Sequence, residues 1–145
     1  MQVGFYHCTR NAPLAVVPRL AAKAVAAGHR ILVHAGPAAD DVDEALWAFD
    51  PGSFLPHGRA GGDDDANQPI LIADGFDGAN AADLAIAMAG RLPGADAGFA
   101  RVLYLFDGGD DDAVAAARRH WKALSARDDV EAVYWAEGER GWEKR

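Results

Sequence analysis

Two hydrophobic patterns alternate along this chain. Short solid apolar runs give way to longer stretches in which apolar residues return every three or four positions. Residues 3–6 (Val-Gly-Phe-Tyr) form the first solid run and predict a buried strand. An Ala- and Leu-rich stretch over 13–27 predicts a helix that closes at Gly28, with Pro18 either kinking it or starting it. Ile31, Leu32 and Val33 form a second strand, continuous and apolar as buried parallel strands are. Over 40–49, acids crowd the first turn, and Val42, Leu46 and Phe49 recur at i, i+4 and i+7, which predicts a helix stopped by Pro51-Gly52.

A Gly- and Asp-rich loop spans 58–69 and leads into a third buried strand at 70–73. The Ala-rich stretch 81–91, ended by Pro93-Gly94, reads as a further helix. A fourth strand at 101–106, a long helix over 110–126 and a final strand at 130–135 complete the pattern. The short link before the final strand leaves its direction open. Strands alternating with helices predict an α/β fold: one Rossmann-like, three-layer domain over 1–145, with a mostly parallel central sheet and helices on both faces.

A chain of 145 residues is long enough to bury a full core without disulfides. Its lone cysteine, Cys8, forms no intrachain bridge, and no Cys/His spacing suits zinc. The N-terminus lacks the basic and apolar regions of a signal peptide, and no long apolar run suggests a membrane span, so a soluble cytoplasmic protein is expected. With 22 acidic against 14 basic side chains, the net charge is −8. That balance argues against broad contact with nucleic acid or an anionic membrane, which needs a basic footprint.

The strings GxGxxG and GxxxxGK[ST] are both absent, so no standard nucleotide cradle and no cofactor are expected. His7, Cys8 and Asp107 lie at or just beyond strand ends, where ligands often sit in such folds. They support an alternative: a small Rossmann-like enzyme or nucleotide binder with a non-standard site. Against it, neighbouring strand residues point to opposite faces, which separates His7 from Cys8. Asp63–Asp65 and Asp110–Asp112 lack calcium-loop spacing and read as a solvated loop and as helix-dipole complements.

The densest basic cluster, Arg118-Arg119-His120-Trp121-Lys122, encloses an indole. Arg118, Trp121 and Lys122 share a helix face at i, i+3 and i+4. In the plain reading Trp121 is core and the charges reach out to water. In the functional reading the face is an anion site with an apolar wall, suited to an acidic peptide terminus.

The Asp43-Glu44-Ala45-Leu46-Trp47 string, followed by Ser53-Phe54-Leu55-Pro56-His57-Gly58, resembles the chi subunits of bacterial DNA polymerase III. The likeness takes in the Phe5-Tyr6 strand, residues 28–33, residues 118–122, and the ending Tyr134-Trp135 with Gly141-Trp142-Glu143-Lys144-Arg145. It implies a non-catalytic adaptor without nucleotide chemistry. Such an adaptor binds the acidic, phenylalanine-ended C-terminal tail of the single-stranded-DNA-binding protein, and in many cases a psi-type subunit of the clamp loader. Carried over by motif position, the tail site comprises Trp47, Arg118, Trp121 and Lys122. The two indoles would wall a slot, and the two cations would hold carboxylates. A residue that is basic in some relatives is Val114 here. The psi-contact segment carries over to Phe54, Leu55, Pro56 and His57. A structural partner domain that uses Phe54 and no tail is a further alternative.

Overall fold

The computed structural model describes residues 1–49, 55–78 and 80–145. Strand β1 (Gln2–Cys8) is followed by helix α1 (Pro13–Ala26), strand β2 (Ile31–His34) and helix α2 (Ala39–Ala48). Next come β3 (Gly58–Arg59), β4 (Ile70–Ala73), β5 (Leu84–Ala87) and β6 (Arg101–Asp107). Helix α3 (Asp111–Ser125), β7 (Glu131–Gly138) and β8 (Gly141–Lys144) close the chain. The strands form one sheet in the order β3-β4-β2-β5-β6-β1-β7-β8. All neighbours are parallel except β8, which returns antiparallel along β7. The α/β class and the mostly parallel sheet are as the sequence pattern predicts, and β7, whose direction was open, runs parallel to β1.

Period-two alternation sorts the strand residues onto two cores. On one face Tyr6, Ile31, Val33, Leu84, Ile86, Leu103 and Leu105 pack beneath α1 and α2, meeting Val17, Ala21, Val42 and Leu46. On the other, Val3, Phe5, Leu32, Val102, Tyr104 and Phe106 pack beneath α3, with Ala117 and Leu124. Helix α3 covers only part of this face; Phe76, Leu92 and Phe99, from the irregular segments flanking β5, cover more of it. Helix α1 begins at Pro13 and continues through Pro18, which is buried within it, and Gly28 takes the left-handed conformation just beyond its end (φ 93°). Helix α3 starts on Asp110, whose side chain accepts from the Asp112 and Ala113 N–H groups.

The helix expected over 81–91 does not form. Leu84–Ala87 is instead a central strand, hydrogen-bonded to β2 on one side and β6 on the other. Every residue of it is buried, with Leu84 and Ile86 on one face and Ala85 and Ala87 on the other. Alanine's helix preference amounts to a few tenths of a kcal/mol per residue, too little to outweigh two ladders of backbone hydrogen bonds and complete burial. Its entry is pinned by Asp83, which accepts from the Arg30 N–H at 2.9 Å and meets His29 Nδ1 at 2.6 Å. The last predicted strand runs on to Gly138 and turns back as β8, which the pattern did not anticipate.

Candidate functional site

On the α3 face, a cavity of about 360 Å³ opens between α3 and strands β1, β6 and β7. Alternate strand positions supply one wall: Phe5 and His7 from β1, Phe106 from β6 and Tyr134 from β7. Helix α3 supplies the other through Val114, Ala117, Arg118 and Trp121, at i, i+3, i+4 and i+7, one stripe of the helix. The rings brace one another. Trp121 stands edge-on to Phe5 (5.3 Å, 78°) and to Tyr134 (6.3 Å, 89°), and His7 stacks on Phe106 (4.8 Å, 15°). His7 Nδ1 is also hydrogen-bonded to the Tyr134 hydroxyl.

The cavity's charged side chains are basic. Its lining includes Arg118 and Arg145 and, among the described residues, no Asp or Glu. Burial pushes the Tyr134 phenol up, and the positive charges of Arg145 and Arg118 oppose that shift. The Arg145 N–H donates to the Tyr134 carbonyl at 2.9 Å, and its side chain makes an exposed ion pair with Glu143 at 3.6 Å. Arg118 makes no ion pair among the described residues. An apolar, ring-lined hole with two guanidiniums can take a ligand that offers an aromatic group and a carboxylate together.

The amino-acid sequence matches the family model described as "DNA polymerase III chi subunit, HolC" over residues 1–130. The chain belongs to the DNA polymerase III chi subunit family. One relative of this chi-family chain is the DNA polymerase III subunit chi of Pseudomonas aeruginosa. It is 34% identical over 97 residues, which make up 66% of this chain and 67% of that protein.

The fold separates the four residues grouped as a tail site. Arg118 and Trp121 share the cavity, while Lys122 is exposed on the same helix and does not line it. Trp47 cannot wall a slot with Trp121. It sits on α2, whose Val42 and Leu46 pack on one face of the sheet, whereas Trp121 packs on the other. The reason is topological: α2 follows β2 and α3 follows β6, and these two crossovers lie on opposite faces. Trp47 instead lies against His57, ring centres 4.6 Å apart, and is 55% exposed.

Trp47 therefore joins the segment expected to meet a psi-type subunit. His57 is buried; its Nδ1–H donates to the Leu55 carbonyl (2.7 Å), and its Nε2 stands 3.0 Å from the Asp43 carboxylate. That second contact has ion-pair distance without hydrogen-bond alignment. Leu55 packs onto the α1/α2 core and Pro56 is exposed. Phe54 lies outside the described residues.

His7, Cys8 and Asp107 do not converge. His7 lines the cavity, while Cys8 packs on the other face. Burial, with the negative charges of Glu137 and Asp107 nearby, pushes the Cys8 thiol up to about 12, which leaves almost no thiolate at neutral pH. Asp107 accepts from the Gly109 N–H at 2.8 Å and so shapes the turn into α3. The carboxylates of Asp64 and Asp65 are likewise used within their own loop, on Asn67 and on the Gly61 and Gly62 N–H groups.

Sequence reasoning missed Phe5, Phe106, Tyr134 and Arg145 as cavity residues and named His7 only for a non-standard enzyme or nucleotide site. The signal for the three aromatic residues was the strand alternation, which puts Phe5, His7, Phe106 and Tyr134 on one face. Arg145 carried no such signal, because β8 had not been recognised. Val114, which stands where some relatives have a basic residue, forms part of the apolar wall, and Arg145 brings the second positive charge.

Proposed function

We propose that this chi-family chain is a non-catalytic accessory subunit of the DNA polymerase III holoenzyme that tethers it to coated single-stranded DNA. It does so by holding the acidic C-terminal tail of the single-stranded-DNA-binding protein in the α3 cavity. The observation that supports this reading is the pairing of Arg118 and Arg145 with Phe5, Phe106, Trp121 and Tyr134 around one cavity. A terminal phenyl ring enters between the aromatic walls and its carboxylate meets Arg118, bidentate if both oxygens engage. Burying a phenyl side chain removes roughly 150–250 Å² from water. At about 25 cal/mol per Å² that contributes about 4–6 kcal/mol before the cost of association.

Lys122 and Arg119, exposed on the same helix, steer the acids that precede the terminal residue. The rest of this −8 surface repels an acidic tail, so attraction is local. No contact with DNA, no cofactor and no membrane is required, and a cytoplasmic setting follows from the role. Among the described residues, no helix is long and apolar enough to cross a membrane.

A psi-type subunit would dock at the segment Phe54, Leu55, Pro56 and His57, of which Leu55 packs on the α1/α2 face. The exposed Trp47 beside His57 supports that placement. Binding of an acidic peptide ending in phenylalanine, followed by calorimetry, tests the tail reading. Arg118→Ala should weaken it about thirtyfold, the equivalent of a hot spot of about 2 kcal/mol, and raised salt should weaken it further. No binding, or binding indifferent to Arg118, overturns the reading.

A further inference from the structure

A second cavity, of about 540 Å³, lies on the opposite face, between α1 and the β7–β8 hairpin. Its chemistry repeats that of the first. Tyr6, Trp135 and Trp142 supply ring walls, and Lys23, Arg101 and Arg140 supply positive charge. Tyr6 stacks beside Trp135 (6.0 Å, 12°) and meets Trp142 edge-on (5.0 Å, 82°). Arg101 lies close enough to Tyr6 for its charge to oppose the upward shift that burial imposes on the phenol.

Among the described residues no Asp or Glu lines this cavity, although acids outnumber bases 22 to 14 in the chain. Three of the hairpin's four acids are engaged elsewhere, and the fourth, the exposed Glu131 at the start of β7, does not line the cavity. Glu137 binds the N–H groups of residues 9–11, Glu139 pairs with Arg10 at 3.8 Å, and Glu143 pairs with Arg145 at 3.6 Å. Asp83, beyond the rim, is taken by His29. Lys23, Arg101 and Arg140 make no ion pair among the described residues. Three cations around one ring-lined hole repel one another until an anion enters, and Lys23, near the end of α1, is the one among them with a helix dipole to complement.

We propose that this second cavity binds the same class of ligand as the first, an acidic peptide segment carrying an aromatic side chain, so that one chain holds two such segments on opposite faces of β1 and β7. The inference rests on the tail reading for its choice of ligand. The shared strands explain the duplication: Phe5 and Tyr134 face one cavity, and the next residues, Tyr6 and Trp135, face the other. A run of acids suits three cations better than a single carboxylate does, and the larger volume accommodates a segment rather than a lone terminal ring.

The test is calorimetric titration of the whole chain with a synthetic peptide of four aspartates ending in phenylalanine. Two peptides per chain are expected. Arg118→Ala should leave one site, and Arg101→Ala, or Arg140→Ala at the exposed hairpin turn, should leave the other, each lost site weakened about tenfold or more. One peptide per chain, abolished by Arg118→Ala and indifferent to Arg101 and Arg140, overturns this inference and leaves the tail reading standing. One site abolished by Arg101→Ala or Arg140→Ala and indifferent to Arg118 supports peptide binding in the second cavity but overturns both the two-site stoichiometry and the first placement. No binding at all overturns both. Deoxythymidine monophosphate serves as the contrasting probe, and its binding at Arg101 without peptide binding there overturns the choice of a peptide.

Discussion

Glu137 on β7 is the clamp for the turn between β1 and α1, and Glu137→Gln tests how much that clamp contributes. One carboxylate oxygen accepts the N–H groups of Thr9, Arg10 and Asn11 at 3.1, 2.9 and 3.2 Å, and the other accepts the Asn11 side-chain amide at 2.7 Å. Burial opposes the charge, but the Asn11 side chain and the three backbone donors outweigh it and hold the carboxyl below the usual glutamate value. Hydrogen bonds to a charged group contribute about 1.5–3 kcal/mol each when shielded and less where water competes, as it does at the exposed Thr9 and Arg10. Glutamine keeps one acceptor oxygen, so the loss should be about 1–2 kcal/mol rather than the sum of four bonds. Because the folded group ionises more readily than the unfolded one, its stabilisation is complete above the unfolded value, about 4.3. It is then lost as pH falls through the lower, folded value. Urea unfolding at pH 7 should therefore show the variant destabilised, with the gap to wild type shrinking between about pH 5 and pH 3. Equal stability at neutral pH, or a gap that stays constant across that range, refutes the account.

Two further outcomes follow from particular contacts. Ile86→Ala should cost about 2–5 kcal/mol in denaturant unfolding, since Ile86 is fully buried in a central strand; a neutral or stabilised variant would restore the helix expected there. Gly108→Ala should leave the fold intact but weaken tail binding, because a Cβ at that position would lie 2.6 Å from His7 Nε2 and push the imidazole toward the cavity. Unchanged peptide affinity in that variant would remove His7 from the site.

Most of the architecture was legible because buried parallel strands announce themselves as solid runs, as in Ile31-Leu32-Val33 and Ile70-Leu71-Ile72. The element that was not legible, Leu84-Ala85-Ile86-Ala87, hides its alternation behind small alanines that suit either state. Only its non-local partners, β2 and β6, decide between them. The candidate site divides in the same way. Arg118 and Trp121 are linked by helix period alone and could be read from spacing. Their separation from Trp47 depends on which face each crossover takes, which spacing along one helix cannot report. Arg145 enters the cavity through the antiparallel return of β8, a pairing set by the β7–β8 turn rather than by any apolar run.

The chain's four tryptophans report on the regions that matter: Trp121 in the α3 cavity, Trp135 and Trp142 in the second cavity, and Trp47 beside His57. Indole N–H resonances, followed by NMR as the acidic, phenylalanine-ended tail peptide is added, therefore test the central claim residue by residue. The account predicts that the Trp121 resonance moves at the first additions and that Trp47 stays where it is. A shift of Trp47 with Trp121 unmoved would contradict it, placing the tail on the face assigned here to the psi-type subunit.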